Sequence, residues 1–424
     1  MRKIIIFLII VWPAVAYSQV STQISLKHCL EKTAHNYPLS DQNALISAIS
    51  DLNQQIIRSG FLPQLALNGQ ISYQSDVTSL PITLPNVSIS QLSKDWYKLN
   101  VDVSQLIYDG GALKMQQSIS ASDAEIEQQD VAIELYKVRQ IVQNTFFNIL
   151  LLNENKKTII LLKNELAEKL KSIESGIKNG LILPANRDNL KAELIKIDQN
   201  VFELELGIES AIENLNILTG LQLTKKNTFL TPETSTSLGL ENNRPELNLF
   251  DAQISKIDLI KEMTALKRRP KVLGFGQAGY GRPGLNMLSN DFEPYFVVGA
   301  KLSWKISDWG NANKEKQILG IQIQKINNRR ETFNHQLELL LTQKRNEIKR
   351  LGNYIKNDKE IVVLKGKVAR AASSQFENGQ ITATEFLLEK NAETKARLNL
   401  QLHQLQLKHA ILEYKYTLGN LNFD

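Results

Sequence analysis

Asp109-Gly110-Gly111 and Asp308-Trp309-Gly310 are the stretches whose comparison decides the fold, because the second repeats the first 199 residues later (308 − 109 = 199). Asn179-Gly180 matches Asn378-Gly379 at the same spacing (379 − 180 = 199). Leu218-Thr219-Gly220 is echoed by Thr417-Leu418-Gly419 (419 − 220 = 199). One offset over three landmarks means that nothing was inserted or deleted between them. The prolines Pro63 and Pro270 are offset by 207 (270 − 63 = 207), which puts the length difference in the loop ahead of the Asp-Gly turn. Two tandem units of about two hundred residues each are the first thing to explain.

The segments that follow each turn are helical. No proline falls between Pro85 and Pro184 or after Pro294, so very long helices are permitted. Leu135, Val138, Val142, Phe146, Ile149 and Leu152 recur three or four apart within Ala112 to Lys178. Ile326, Phe333, Leu337, Leu340, Ile348, Leu351 and Ile355 do the same within Asn311 to Glu377. At ~1.5 Å per residue each stretch makes a helix, or two stacked helices, of about 100 Å. Leu190, Leu194, Ile197, Val201, Leu204, Ile208, Ala211, Leu215 and Leu218 alternate spacings of four and three, the seam of a left-handed coiled coil. Leu398 to Leu402 alternates like a strand, but the offset lays it on this seam and predicts helix. Asn-Gly at 179–180 and 378–379 suits a chain reversal, so each unit holds a helical hairpin.

Before each long helix the period falls to two. Leu65, Leu67, Ile71 and Tyr73 oppose Asn68, Gln70, Ser72 and Gln74. Tyr97, Leu99, Val101 and Val103 oppose Lys98, Asn100, Asp102 and Ser104. Val298, Ala300, Leu302, Trp304 and Ile306 oppose Gly299, Lys301, Ser303 and Lys305. Val272 to Tyr280 alternates poorly, with Leu273 and Phe275 on the polar face, and is read as a strand from its position. Such strands fit a transmembrane barrel with lipid outside and water inside. They fit equally a soluble sheet with one face on a core. Two features favour the barrel: the helices offer no globular body to cover, and the N-terminus is a secretory signal. Arg2-Lys3 precede the apolar run Ile4 to Val11, and Ala16-Tyr17-Ser18 supplies the small residues before a cut at Gln19. Four strands cannot close a barrel, so several chains must share one.

Composition excludes other classes. The formal charge of +6 falls to +4 once Arg2 and Lys3 are removed, too little to argue for nucleic acid. No segment after the signal reaches ~18 uninterrupted apolar residues, so no transmembrane helix is expected. Cys29, the single cysteine, lies on an apolar face with Leu26 and Leu30 and reads as a buried, inert thiol. Gly274-Phe-Gly-Gln-Ala-Gly279 has dinucleotide-loop spacing, but Arg282-Pro283-Gly284 follows where a helix should begin. His28, His35, His335, His403 and His409 form no metal cluster and read as solvated helix positions. Lys267-Arg268-Arg269-Pro270-Lys271 reads as cations at a helix end, compatible with anchorage at a membrane surface. There is no nucleophile–base constellation and no catalytic carboxylate pair, so the chain reads as a non-enzyme without cofactors.

The order of the motifs resembles the TolC-like outer membrane efflux protein family over essentially the whole mature chain. The matching pieces are Gly60-Phe-Leu-Pro63, Leu106-Ile-Tyr-Asp-Gly-Gly111, Arg244-Pro-Glu-Leu247, Trp304-Lys-Ile-Ser-Asp-Trp-Gly310, Phe376-Glu-Asn-Gly379 and Leu418-Gly-Asn-Leu421. The resemblance implies an α+β membrane protein, a trimer whose twelve strands form one outer-membrane β-barrel continued by a periplasmic α-helical barrel. It implies a channel, the exit duct of a tripartite efflux pump or a type I secretion system. The implied partners are two more copies, a periplasmic adaptor, an inner-membrane transporter and outer-membrane lipid. The rival reading is a soluble periplasmic coiled-coil scaffold without a pore.

The expected layout is a signal peptide at 1–18, a first repeat at 19–225, a linker at 226–243 and a second repeat at 244–424. Strands are predicted at 64–75, 96–107, 271–281 and 295–306, with hairpin tips at 179–184 and 378–383. The linker around Leu221 to Asn243 and the C-terminus would form a mixed equatorial region. Asn68, Gln70, Ser72, Asp102, Lys301 and Ser303 would line the barrel lumen. By the resemblance, Gly180, Leu181, Gly379 and Ile381 are adaptor-contact residues. The family's acidic ring at the helical tips falls on Glu385, which would constrict the pore. A second ring position falls on Leu388, and the first-repeat equivalent of Glu385 is Asn186, so only one acid per chain is expected.

Overall fold

The computed structural model describes residues 23–78, 92–179, 183–233 and 241–420. The signal segment 1–18, Gly180, Leu181 and residues 234–240 of the linker lie outside the described residues. In chain order the first half holds β1 (Gln23–Ile24), α1 (Leu26–Asn36), α2 (Gln42–Ser59), β2 (Gln64–Tyr73), β3 (Asp95–Tyr108), α3 (Ala112–Lys178) and α4 (Pro184–Thr219). The second holds β4 (Thr228–Phe229), α5 (Pro245–Leu266), β5 (Lys271–Arg282), β6 (Glu293–Ser303), α6 (Asn311–Glu377) and α7 (Ala383–Thr417).

Both long helices start and stop where the sequence predicts, and the Asp-Gly turns explain the start. Asp109 accepts hydrogen bonds from the N–H groups of Gly111 (2.8 Å) and Leu113 (2.5 Å). Asp308 accepts from those of Gly310 (3.0 Å) and Ala312 (3.0 Å). Each carboxylate thus satisfies two N–H groups at a helix start that has no partners of its own. The turn needs left-handed backbone: φ is +74° at Gly110, +94° at Gly111, +56° at Trp309 and +78° at Gly310. Glycine adopts this without strain, whereas Trp309 does not.

The chain forms two compact units, and each takes segments from both repeats. One contains residues 38–136 and 242–339, the other residues 23–37, 137–241 and 340–420. Helices α3 and α6 contribute to both.

The strand-bearing unit holds one antiparallel sheet in the order β2-β3-β5-β6. Its registers carry the duplication. Gln64 pairs with Ser104 in the first hairpin and Lys271 with Ser303 in the second, which are the same positions displaced by 207 and 199. Gln105 Nε2 donates to the carbonyl of Phe61 at 3.3 Å, and Trp304 Nε1 donates to that of Arg268 at 3.1 Å, again the same pair displaced. The poorly alternating segment is indeed a strand, and packing explains its pattern. Phe275 lies over Gly299, where a Cβ would come within 2.7 Å of the ring. Tyr295 covers Gly279 in the same way, at 2.6 Å. Aromatic side chains therefore fill the polar face where the opposite strand has none.

Six of the eight strand ends differ from expectation by one to three residues, and two of them stop short of it. The first strand stops at Tyr73 rather than 75, and the fourth at Ser303 rather than 306. The cause of the second is that β5 begins at Lys271, opposite Ser303, so among the described residues no strand lies beside Trp304 to Ile306.

In the other unit α4 and α7 pack along α3 and α6, and the predicted seam is real. Leu190, Ile197, Ile208, Ala211 and Leu215 are all buried. Each fully buried leucine or isoleucine contributes about 1.5–3 kcal/mol. One core joins Leu26, Cys29, Phe146, Ile149 and Leu215, with Phe146 edge-on to Phe229 at 5.6 Å. Beside it, β1 and β4 form a parallel pair, Gln23 with Thr228 and Ile24 with Phe229. The N-terminal segment is therefore part of the region that the sequence assigned to the linker and C-terminus; two-residue strands are too short to show a period. A second core near the hairpin tips holds Leu166, Ile173, Leu190, Phe376 and Phe386, with the two rings stacked at 5.3 Å.

Candidate functional site

The sheet places all six expected lumen residues on one face. Asn68 is opposite Asn100 and Gln70 opposite Lys98, while Asp102 is opposite Gln277, Lys301 opposite Leu273 and Ser303 opposite Lys271. Ser72 follows Gln70 by two and so shares its side. Asp102 organises this face: it accepts from Asn68 (2.5 Å), Asn100 (2.8 Å) and Gln277 (2.7 Å), one amide from each of three strands.

The opposite face is apolar and bare. Leu67, Ile71, Val101, Phe296, Val298 and Leu302 all lie on it and are exposed, Ile71 to 79% and Val298 to 78%. At one end of the sheet Arg282 pairs with Asp95 and sits 5.3 Å from the rings of both Tyr97 and Phe292. Tyr280 stacks on Phe292 at 5.8 Å. Trp304, 58% exposed, marks the other end. A soluble sheet would bury such a face in a core; apolar faces of this extent, edged by aromatic rings, meet lipid or a partner. No helix among the described residues is long and apolar enough to cross a membrane.

At the helical tip, Gly379 reverses the chain with φ +68° and nothing within contact of its missing side chain. Ile381 packs partly against the tip core rather than standing free. Glu385 forms a capping box with Thr382: its carboxylate accepts from the Thr382 N–H (2.8 Å) and hydroxyl (2.9 Å), and its own N–H donates to that hydroxyl (3.3 Å). The backbone N–H and the hydroxyl of Thr382 hold its pKa below the ordinary carboxylate value. The pattern Thr382-Ala-Thr-Glu385 signals this box in the sequence. Leu388 is exposed, and Asn186 accepts from the Ala383 N–H at 3.1 Å, tying the first hairpin to the second.

Behind the tip lies a charged cluster that no sequence motif announces, because its members come from three helices. Lys169 of α3 pairs with Glu377 of α6 and lies 5.8 Å and 5.4 Å from the Phe376 and Phe386 rings. Glu393 of α7, 4% exposed, accepts from Lys390 (2.9 Å) and Arg397 (2.6 Å). Lys390 also reaches Glu165 of α3. No group of three or more His, Cys, Asp or Glu side chains among the described residues could hold a metal ion.

Two histidines depart from the solvated positions expected. His403 contacts Asp358 at 2.5 Å, and His409 contacts Asn144 at 2.8 Å with its ring 4.6 Å from that of Phe147. Burial pushes the His409 pKa down. Arg244 of the Arg-Pro-Glu-Leu motif gains a role as well. Its guanidinium lies 4.7 Å from the Tyr136 ring and 5.9 Å from that of Phe333, and Nε donates to Glu246 at 2.9 Å. Cys29 is fully buried as expected, and burial raises its pKa to about 12.

The chain combines long helical hairpins with an antiparallel sheet that has one polar and one bare apolar face. No protein-family model and no curated protein matches the sequence. Solved structures do match. The outer membrane protein VceC of Vibrio cholerae is similar at 14% identity with a TM-score of 0.67, over 94% of this chain and 97% of that one. The CmeC outer membrane channel of Campylobacter jejuni is similar at 15% identity with a TM-score of 0.63, over 93% and 85%. The open-state MtrE outer membrane channel of Neisseria gonorrhoeae is similar at 13% identity with a TM-score of 0.64, over 93% and 89%. The fold of this chain is TolC-like.

Proposed function

We propose that this chain is the subunit of an outer-membrane channel, the exit duct of a tripartite efflux pump or a type I secretion system. The observation that carries the reading is the bare apolar face of the sheet, backed by a hydrogen-bonded polar face around Asp102. Lipid covers the first, and water fills the space lined by the second. Three copies give twelve strands and close the barrel. The helices extend the duct into the periplasm, where an adaptor docks at Gly180, Leu181, Gly379 and Ile381 and couples it to an inner-membrane transporter. Conduction is passive and involves no chemistry.

Glu385 forms the constriction, three carboxylates around one axis that attract cations. If Glu385→Ala leaves conductance and ion selectivity unchanged, the acidic ring is wrong. The channel reading itself is tested by fractionation and electron microscopy. A channel stays with the outer membrane after salt and alkaline washes and appears as a hollow threefold tube in detergent. Release by the washes and a thin rod without a lumen would replace it with the soluble scaffold.

A further inference from the structure

The internal duplication, exact in its registers, specifies how a second copy docks. Inside one chain the first repeat meets the second along β3 and β5, where Asn100 is opposite Gly279, Asp102 opposite Gln277 and Ser104 opposite Phe275. The two outer edges, β2 and β6, have no strand beside them among the described residues. The second repeat's counterpart of β3 is β6, displaced by 199, and the first repeat's counterpart of β5 is β2, displaced by 207. Tyr37-Pro38 and Arg244-Pro245 share the second offset (244 − 37 = 207).

We propose that β6 pairs with β2 of a second copy in the register Gly299–Ser72, Lys301–Gln70, Ser303–Asn68, with Trp309 seated on Phe61 and Leu62 of that copy. The inference rests on the channel reading and deepens it by naming the contact residues. Parity supports it. The transferred register sets polar side chains beside polar ones on one face, and a slip by one residue would set them beside Ile71 and Gly69. It also accounts for the early end of β6. Residues 105–108 of β3 pair only with β5, at Gly274, Leu273 and Val272. Their counterparts, residues 304–307, lack a partner only because the neighbouring β2 edge belongs to another copy.

Trp309 is the clearest mark. Its counterpart Gly110 is pressed against Arg269, whose Nη1 donates to the Gly110 carbonyl at 2.9 Å. The counterpart of Arg269 is Leu62, which is 59% exposed beside Phe61 at 40%. Trp309 holds a left-handed backbone and is 90% exposed, an unfavourable arrangement that a docking surface offsets. The helices follow suit. Lys256 of α5 pairs with Asp123 of α3. Their counterparts are Ile49 of α2, which lies in the exposed apolar stripe Leu45–Ile49–Leu52–Ile56, and Gln322 of α6, which is exposed beside the exposed Ile318 and Ile321.

Cysteine pairs in outer membranes test the register, in a Cys29→Ser background. Ser303→Cys with Asn68→Cys should give covalent oligomers on a non-reducing denaturing gel after oxidation or a short bis-methanethiosulfonate reagent. Within one chain the two positions sit at opposite edges of a four-stranded sheet, roughly 14 Å apart at ~4.8 Å per strand, too far for a disulfide. Ser303→Cys with Gln70→Cys is displaced by two residues and should cross-link far less. Cross-linking of the displaced pair in preference to the matched one would overturn the register while leaving a shared barrel. No inter-copy product from either would overturn the pairing, and the channel reading with it. Trp309→Gly gives a test by sign. It relieves the backbone and restores the first-repeat residue, so without docking the oligomer would melt higher or unchanged. Docking requires that it dissociate at a lower temperature, with Trp309→Phe recovering most of the loss.

Discussion

Arg244 is where a short motif becomes a measurable energy. Its side chain and that of Glu246 are 15% and 16% exposed, and the guanidinium also meets the rings of Tyr136 and Phe333. Arg244→Ala removes the ring contacts and leaves the Glu246 carboxylate largely shielded from water with no cation. Breaking a buried pair costs about 3–5 kcal/mol. The remaining exposure puts this pair near the lower end, so about 3 kcal/mol is expected, ring contacts included. Arg244→Met with Glu246→Gln removes both charges and keeps most of the packing, and should recover to within about 1 kcal/mol of the parent, since an apolar replacement of an ion pair is often neutral. The assay is urea unfolding in detergent, followed by far-ultraviolet circular dichroism. If Arg244→Ala costs under ~1 kcal/mol, or the double variant is no more stable than Arg244→Ala, then uncompensated charge is not the cause.

Cys29 should resist maleimide in the folded protein at mildly alkaline pH and react once urea unfolds it; labelling of the folded chain would contradict its burial. Its raised pKa has a sign. Between the ordinary value of 9.0 and about 12 the unfolded thiol ionises and the folded one does not, so its contribution to stability falls as pH rises through that window. Thr382→Ala should cost about 0.5–2 kcal/mol through loss of the helix cap. It should speed amide exchange in the first turn of α7, and unchanged exchange would deny the cap that role. In planar bilayers Lys301→Gln should shift the channel toward cations and Asp102→Asn toward anions; reversal potentials that do not move would take both residues out of the lumen.

What the sequence discloses depends on how local each cause is. The long helices were legible to the residue, because the Asp-Gly turn starts each and Asn-Gly ends it. The heptad seam was legible because period survives over many turns. The sheet's face assignment was legible even for Leu273 and Phe275, but not its reason, since Gly299 lies on another strand. The end of β6 was not legible, because a strand ends where its partner ends. The tip cluster of Lys169, Glu377, Lys390 and Glu393 joins α3 to α6 and α7 some two hundred residues later and leaves no periodic trace. The capping box at Thr382 and Glu385 is a local signal carried by the Thr-x-x-Glu spacing, whereas the resemblance bears only on the charge of Glu385.

The two repeats keep the turn that starts each long helix and differ in charge on the polar face of the sheet and at the helical tips. Asp109 and Asp308 cap the same turn with the same bonds. At the matching position on the polar face of the sheet the first repeat has Asp102 and the second Lys301 (301 − 102 = 199). In a barrel of three copies equivalent positions stand at one level, so three acids alternate with three bases and their fields cancel at a distance. At the tip the matching positions are Asn186 and Glu385, so there only the acid is charged and its three copies do not cancel. Such a channel would draw its preference for one sign of ion from the helical tips and not from the strands. Neutralising Asp102 and Lys301 together should then leave that preference where it was, even though either change alone moves it.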